Sequence, residues 1–225
     1  MKKVYRNELK YMISKQESIV LSKRLSQICT TDPNSDSKGY YKVSSLYFDD
    51  YINSSLKDKL AGIIKRKKFR IRIYNDNDSF IKLERKSKNT NVCVKDSISL
   101  TKNEYNQIMS GNYEFMSNTQ NYVLRDFYTL LRTRHLAPKV IVYYNRKTYV
   151  YPYGKVRITM DVDLHSSKGN LNLFKNYLGI PVTNTNEVIL EIKYTGFLPS
   201  LIKDMIQQGI GNMEAISKYA SCRMV

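Results

Sequence analysis

Cysteine, histidine and long apolar runs are all scarce in this sequence. The 225 residues include three cysteines and two histidines. Cys29, Cys93 and Cys222 are odd in number and far apart, which argues against a disulfide framework and a close-spaced zinc site and predicts reduced thiols. His135 and His165 belong to no catalytic motif, so we expect both to be structural. No apolar run approaches the roughly 18 residues that a transmembrane helix needs.

Targeting and linker signals are also missing. The first residues, MKKVYRNELKYM, are basic but are not followed by the apolar core of a secretory signal. Nothing resembles a linker, and the length suits a single domain over residues 1–225. A hydrophobic fraction of 42% is enough to form a substantial core and is too high for a disordered chain. These features predict a cytoplasmic protein of one domain.

Acidic residues are few relative to basic ones. Lys and Arg total 37 against 20 Asp and Glu, which gives a formal net charge of +17. Such an excess predicts a polyanionic partner: nucleic acid, an anionic membrane surface, or a polyphosphate or nucleotide. Composition does not decide among these partners.

The order of elements predicts an α+β fold with a largely antiparallel sheet. About eight strands and several short helices are expected, neighbouring strands are often linked by short turns, and no parallel βαβ rhythm is present. Capping boxes at Ser14/Glu17 and Thr101/Glu104 predict two helix starts. Helices are also expected at about 51–61, 119–134, 199–208 and 212–221.

The stretch KFRIRIYNDNDSFIKLERK, residues 68–86, predicts a hairpin with one unusual face. Apolar residues alternate with Arg70 and Arg72 in its first strand and with Lys82, Glu84 and Lys86 in its second. A half-solvated sheet would expose such a face to water. In a closed barrel it would line an interior tunnel, with helices covering the outward apolar faces. The pattern leaves both arrangements open.

Carboxylates recur among these cations. Glu-x-Lys occurs at Glu8, at Glu84 and at Glu191, each on a predicted strand. Such carboxylates neutralise neighbouring lysines, or hold Mg²⁺ or Mn²⁺ against phosphate oxygens. Asp161 and Asp163 are further metal candidates, or balance the charge of Arg157.

An ordered set of motifs resembles the VTC (vacuolar transporter chaperone) domain family, within the CYTH-like triphosphate tunnel metalloenzyme fold. The set runs YRNELKYMIS, YKVSSLYFDD, FRIRIY, KLERK, YNRKTYV, VRITMDVDL, VILEIKY and SKY. The resemblance implies an eight-stranded antiparallel tunnel barrel with peripheral helices. It also implies that nucleoside triphosphate and a divalent metal bind inside.

Site residues follow from the resemblance and from strand parity. We expect catalytic contacts to the triphosphate from Arg70, Arg72, Arg157 and Lys86. Further phosphate-binding cations would be Lys10, Lys59, Arg146, Lys193 and Lys218. Glu191, helped by Glu8, would hold Mn²⁺ or Mg²⁺.

Two departures from the family pattern bear on the chemistry. Lys59 stands where the family tends to have arginine, which keeps the charge but loses the bidentate fork. The first strand reads Arg6-Asn-Glu8-Leu-Lys10, whereas related triphosphatases and cyclases tend to read Glu-x-Glu-x-Lys. A cation in place of the first carboxylate disfavours a two-metal hydrolytic centre.

The resulting prediction is a metal-dependent polyphosphate polymerase that transfers the γ-phosphate of ATP to a growing chain. The expected partners are ATP and inorganic polyphosphate, without nucleic acid, and a membrane partner stays open. A triphosphatase of the same fold is the nearest alternative. A non-catalytic polyphosphate-binding module or a nucleic-acid-binding module would also account for the charge.

Overall fold

The structure, a computed structural model, describes residues 6–89, 92–167, 169–175, 178–207 and 213–225, without the side chains of Arg6, Val92 and Gln207. The strands are β1 (Arg6–Ser14), β2 (Thr30–Thr31), β3 (Tyr40–Asp49), β4 (Arg66–Tyr74), β5 (Asn77–Asn89), β6 (Val92–Leu100), β7 (Ala137–Tyr151), β8 (Val156–Ser166), β9 (Ile180–Pro181) and β10 (Glu187–Thr195). The helices are α1 (Lys15–Leu25), α2 (Ser54–Leu60), α3 (Lys102–Ser110), α4 (Tyr122–Thr133), α5 (Ser200–Gln207) and α6 (Lys218–Arg223). Single 3₁₀ turns lie at Glu114–Met116 and Tyr153–Lys155.

Two capping boxes begin helices as the sequence predicts. Ser14 and Glu17 exchange side-chain and backbone hydrogen bonds at the start of α1, and Thr101 and Glu104 do the same at α3. Gly111 ends α3 with φ of 81°, a left-handed conformation that favours glycine. The helix expected at about 212–221 is wrong in its first part. From residue 213 onward, helix begins only at Lys218, and residue 212 lies outside the described residues.

The chain divides into two compact units. Unit 1 takes its described residues from the ranges Met1–Lys42, Tyr144–His165 and Pro181–Lys218. Its strand order is β1-β10-β8-β7, with antiparallel pairing of β1 to β10 and of β10 to β8. The core lies on the apolar strand faces, where Ile158, Leu190 and Ile192 are buried together with residues of α1 and α5.

Unit 2 takes its described residues from Val43–Tyr143, Ser166–Ile180 and Tyr219–Val225. Its strand order is β3-β4-β5-β6, with antiparallel pairing throughout. Phe69, Ile71 and Leu83 are buried against α3 and α4, as their alternation predicts. Phe127 of α4 anchors this core: its ring lies 5.0 Å from that of Phe69 and meets that of Phe48 edge to face.

These observations confirm the α+β class, the mostly antiparallel sheet and the peripheral helices over the apolar faces. They do not confirm the closed barrel. In a closed barrel every strand pairs on both sides. Among the described residues, β1 is an open edge of unit 1 and β6 an open edge of unit 2. The prediction of one domain over residues 1–225 stays a prediction.

Candidate functional site

Each unit carries a cluster of charged side chains on the strand face opposite its core. In unit 1 we name it the Glu191 cluster, formed by Glu8, Lys10, Arg146, Asp161, Glu191, Lys193 and Lys218. In unit 2 we name it the Glu84 cluster, formed by Ser45, Tyr47, Arg70, Arg72, Glu84 and Lys95. Period-2 alternation places these side chains on one face, and antiparallel register brings neighbouring strands' charges together.

In the Glu191 cluster, side chains of opposite charge face each other across the paired strands β1 and β10. Glu8 lies opposite Lys193, and Lys10 lies opposite Glu191. Lys10 Nζ is 3.0 Å from Glu8 Oε1 and 3.6 Å from Glu191 Oε1, and Lys193 Nζ is 3.1 Å from Glu191 Oε2. Lys10 also donates to the carbonyl of Ile216 at 3.1 Å. Opposite charges on facing positions stabilise the pairing of these two strands.

Arg146 and Asp161 form the buried centre of the same cluster. Arg146 Nε and Nη2 donate to the two Asp161 carboxylate oxygens at 2.6 and 2.8 Å, a bidentate pair. Lys218 Nζ adds a contact to Asp161 at 2.7 Å, and Arg146 Nη2 lies 3.7 Å from Glu191. Burial raises the pKa of Asp161, but Arg146 and Lys218 outweigh burial and lower it below its ordinary value.

Glu8 and Glu191 are close enough for their carboxyl groups to hydrogen-bond. Burial raises the pKa of Glu191, but the contact with Glu8 and three lysines outweigh it and hold that pKa well below the usual range. The lysines are Lys193, Lys218 and Lys10. Burial also lowers the pKa of Lys193 to about 8, although Glu191 and Glu8 favour its charged form.

This carboxylate pair fits one kind of metal ion. Within the described ranges, no group of three or more His, Cys, Asp and Glu side chains could hold a metal. A closed, all-protein metal cage is therefore not formed by these residues. Mg²⁺ and similar hard cations are instead often held by one or two carboxylates and by substrate phosphates. Two carboxyl groups in contact, Glu8 and Glu191, supply that donor set.

Arg157 of β8 has different partners from those expected. Its Nη2 donates to Asp32 Oδ2 and to the Tyr41 hydroxyl, both at 3.1 Å. The expectation that Asp161 or Asp163 balances Arg157 is wrong for Asp161, whose carboxylate is occupied by Arg146 and Lys218. Asp32 lies in the loop before β3, so no strand pattern could have indicated it.

The Glu84 cluster gathers three cations around one buried carboxylate. Arg70 contacts Glu84 Oε2 through Nε at 2.7 Å and Nη2 at 2.6 Å, Arg72 Nη1 lies 3.9 Å from the same oxygen, and Lys95 pairs with Oε1. Burial raises the pKa of Glu84, but these cations outweigh burial and lower it well below its usual range. Glu84 therefore stays ionised.

Two hydrogen bonds orient the arginines of this cluster. Arg70 Nη1 donates to the Tyr47 hydroxyl at 2.7 Å, and Arg72 Nε donates to Ser45 Oγ at 2.9 Å. Both acceptors lie on β3, which pairs with β4 so that Tyr47 faces Arg70 and Ser45 faces Arg72. The arginines are thus held in fixed directions by neighbouring strands.

A row of lysines extends this face. Lys68, Lys86 and Lys95 lie opposite one another on β4, β5 and β6. Like charges on facing positions destabilise strand pairing unless an anion approaches them. Lys68 Nζ also lies 4.8 Å from the centre of the Tyr219 ring. The row makes this face markedly more cationic than the Glu191 cluster, where acids and bases nearly balance.

Lys59 lies in the last turn of α2, half-buried. The start of that helix is held by Asp49, whose carboxylate accepts from the Ser55 and Leu56 amides at 2.9 and 3.2 Å. The Tyr219 hydroxyl donates to the same carboxylate at 2.6 Å. These bonds fix the position of the helix that carries Lys59.

All eleven predicted site residues lie in the described part of the chain. Seven are in unit 1 and four in unit 2; their roles stay predictions. Sequence reasoning missed Lys95 and the pairing of Asp161 with Arg146. Alternation within VCVKDSISL could have indicated Lys95, since it shares a face with Ser97 and Ser99. The side chain of Arg6 lies outside the described residues.

A protein-family model identifies the family to which this chain belongs. The VTC domain model matches residues 5–225, nearly the whole chain. The chain belongs to the VTC domain family. No curated protein matches this VTC domain. The resemblance predicted from the motifs is therefore confirmed.

Solved structures add evidence on the fold. A candidate adenylate cyclase from Bacillus halodurans matches with a TM-score of 0.52 at 17% identity, covering 92% of this VTC domain and 89% of that chain. The PH1819 protein from Pyrococcus horikoshii OT3 matches with a TM-score of 0.49 at 15% identity, covering 96% and 97%. Together with the family match, the first likeness supports a CYTH-like triphosphate tunnel fold for this chain.

A membrane-spanning helix was not expected from the sequence. Over the described ranges, none of the helices is long and apolar enough to cross a bilayer.

Proposed function

We propose that this VTC domain is a metal-dependent polyphosphate polymerase that transfers the γ-phosphate of ATP to a growing polyphosphate chain. The observation that carries the proposal is the cationic face of unit 2. There, Arg70, Arg72, Lys86 and Lys95 surround or adjoin the buried carboxylate of Glu84. Family membership supports an enzyme that acts on triphosphates.

In this proposal the unit 2 face grips phosphate oxygens. The guanidinium groups of Arg70 and Arg72 carry planar N–H donors of the kind that phosphate oxygens accept from. Tyr47 and Ser45 hold these forks in direction, so little ordering remains when substrate binds. Lys86 adds a point charge, and Lys59 at the end of α2 adds another.

The Glu191 cluster has a second role. Glu8 and Glu191 would hold Mn²⁺ or Mg²⁺, which supplies charge neutralisation at phosphate oxygens when bound. Asp161 keeps Arg146 and Lys218 in fixed positions through short ion pairs. Lys10 and Lys193 keep Glu191 ionised and, with Arg157, complete the set of phosphate-binding cations.

The transfer needs little covalent chemistry from the protein. A terminal phosphate oxygen of the existing chain attacks the γ-phosphorus of ATP in line. The bond from that phosphorus to the β-phosphate oxygen breaks, and ADP leaves with the electron pair. Because the attacking oxygen is already ionised, no general base is required. The proposal therefore needs neither His135 nor His165.

Two further parts of the proposal concern the closure of the strands and the cellular location of the protein. We propose that the strands close into an eight-stranded tunnel in the active protein, as the family resemblance implies, and that the protein acts in the cytoplasm. A crystal structure with bound triphosphate would test the closure.

The test is incubation of purified protein with ATP and Mn²⁺, with and without a short polyphosphate primer. Chain length, ADP and free phosphate are measured together. Glu191→Gln and Arg72→Ala should abolish chain formation. Glu187→Gln is the matched control, because Glu187 begins the same strand and its exposed carboxylate contact is with the nearby Asn184, whose backbone amide and side-chain amide donate to it. It should keep activity.

Each outcome separates the candidate functions. Long chains with stoichiometric ADP, lost in both variants, support a polymerase. Free phosphate without chains indicates the triphosphatase alternative. Tight polyphosphate binding without turnover indicates a binding module. DNA binding stronger than polyphosphate binding would contradict a phosphate-chain site altogether.

A further inference from the structure

The segment from residue 51 to residue 68 runs from just after β3 through α2 into the first residues of β4, and it exposes several large apolar side chains. We name it the 51–68 segment. Five large apolar side chains in it are 45–75% exposed: Tyr51, Ile52, Leu60, Ile63 and Ile64. All residues from 60 to 65 are exposed. Single exposed apolar residues are ordinary, but a contiguous group marks an interaction surface.

Backbone hydrogen bonds hold this surface in a defined conformation. The Ala61 amide donates to the Lys57 carbonyl at 2.8 Å, and the Ile63 amide donates to the Asp58 carbonyl at 2.9 Å. Arg66 Nη1 then donates to the Ile63 carbonyl at 2.6 Å. The isoleucines are therefore presented outward by an ordered turn after α2.

The same segment is strongly basic. It contains six cationic side chains and one carboxylate, that of Asp58. The cations are Lys57, Lys59, Lys65, Arg66, Lys67 and Lys68. Lys67 pairs with Asp126 of α4 at 2.9 Å, which ties the end of the segment to the unit 2 core. The segment thus combines apolar and basic side chains, and its residues 60–65 are exposed throughout.

This combination selects one class of partner. A free polyphosphate chain would neutralise the lysines but leave five apolar side chains in water. An apolar protein groove would cover the isoleucines but would gain nothing from the cations. An anionic bilayer surface accommodates both kinds of side chain, because apolar side chains enter the headgroup boundary and cations meet the lipid phosphates.

We propose that the 51–68 segment docks this protein on an anionic membrane surface, with Ile63 and Ile64 inserted at the headgroup boundary. Binding of this kind is peripheral and reversible, and it requires no spanning helix. Each Lys or Arg near such a surface adds to the attraction, and salt weakens it.

The absence of tryptophan from the chain makes a clean test available. Ile64→Trp introduces a single fluorophore at the proposed contact, and Phe80→Trp provides a matched reporter at an exposed position of β5 in the same unit. Each protein is mixed with phosphatidylcholine vesicles, with or without phosphatidylglycerol. We expect the emission of Trp at position 64 to shift to shorter wavelength only with anionic vesicles, and to shift back in high salt. The Phe80→Trp emission should stay unchanged.

Vesicle co-sedimentation measures how strongly each variant partitions onto anionic vesicles. Combined Ile63→Ser and Ile64→Ser should weaken partitioning onto anionic vesicles about tenfold, as should combined Lys57→Ser and Lys65→Ser. Unchanged far-UV circular dichroism and unchanged formation of ADP and polyphosphate chains by the isoleucine variant would separate docking from folding and from the proposed chemistry.

Three results would overturn the proposal. One is an unchanged emission of Ile64→Trp with anionic vesicles. Another is equal partitioning of the wild type and the double-serine isoleucine variant. The third is an emission shift caused by soluble polyphosphate while vesicles have no effect, which would make the segment an entrance for phosphate chains.

Discussion

Removing the charge of Glu84 tests whether one carboxylate organises the cationic face of unit 2. Glu84→Gln keeps the size of the side chain and one carbonyl acceptor for Arg70. It leaves Arg70, Arg72 and Lys95 without the anion that all three contact. The structure predicts a less stable protein, because like charges on neighbouring strands then repel one another.

The magnitude follows from the burial of the partners. Breaking a fully buried ion pair costs about 3–5 kcal/mol. Glu84 is 2% exposed and Arg72 is 7% exposed, but the Lys95 side chain is 50% exposed and solvated. We therefore expect a loss of about 2–4 kcal/mol in the free energy of unfolding at pH 7. For a chain of this size, each 1 kcal/mol lowers Tm by roughly 2–4 °C.

The loss should depend on pH in a defined direction. The folded-state pKa of Glu84 is lowered from its ordinary value of 4.5. Its stabilising contribution is therefore complete above that value and is lost as the pH falls through the folded-state pKa. The difference between wild type and Glu84→Gln should be constant from pH 7 to about pH 5.5 and should narrow in more acidic buffer.

Urea unfolding followed by far-UV circular dichroism, repeated from pH 7 down to buffers more acidic than pH 4.5, measures both effects. Glu114→Gln is the control, because Glu114 is exposed and its replacement should change stability by less than about 0.5 kcal/mol. A loss for Glu84→Gln no larger than that of the control would refute the reasoning. So would a loss that stays the same at every pH. Added polyphosphate should reduce the loss if this face binds phosphate.

Three further predictions concern thiols, packing and a helix cap. Cys93 is exposed, whereas burial raises the pKa of the Cys29 thiol to about 11. Ellman's reagent at pH 8 should therefore label Cys93 first, and Cys93→Ser should remove the fast phase of labelling. Phe127→Ala should lower the free energy of unfolding by about 3–5 kcal/mol, because its ring is fully buried between two others; a loss below about 1 kcal/mol in urea titration would contradict that packing. Ser14→Ala should cost about 1 kcal/mol by removing the N-cap of α1. Ser26→Ala, at the other end of the helix, should cost less in the same titration, because it removes an exposed hydroxyl that donates to the Lys23 carbonyl and leaves the backbone bonds of that end intact.

Much of the fold could be predicted because local rules act within short stretches. Alternation in residues 68–86 correctly separated Phe69 and Ile71 from the arginines, since a side chain's face depends only on its parity along a strand. Both capping boxes formed for a similar reason: their partners are three residues apart. The helix expected at 212–221 was wrong only in its first part, since helix begins at Lys218 and no capping box marks that start.

The site shows where prediction from sequence stops. Motif order and parity named cations on both units' strand faces. They did not indicate that Asp161 pairs with Arg146, or that Asp32 pairs with Arg157, which lies 125 positions away in the chain. Such pairs depend on the register between strands and on loops that carry no periodic pattern.

By itself, then, the sequence determined the family, the α+β class, the faces of the strands and the excess of positive charge. Each of these depends on residue order or on composition. Only the tertiary structure decided which carboxylate neutralises which cation, that Glu8 and Glu191 meet, and that Glu84 stands between three cations. Those outcomes depend on distances between residues far apart in the chain, which strand pairing and burial set together.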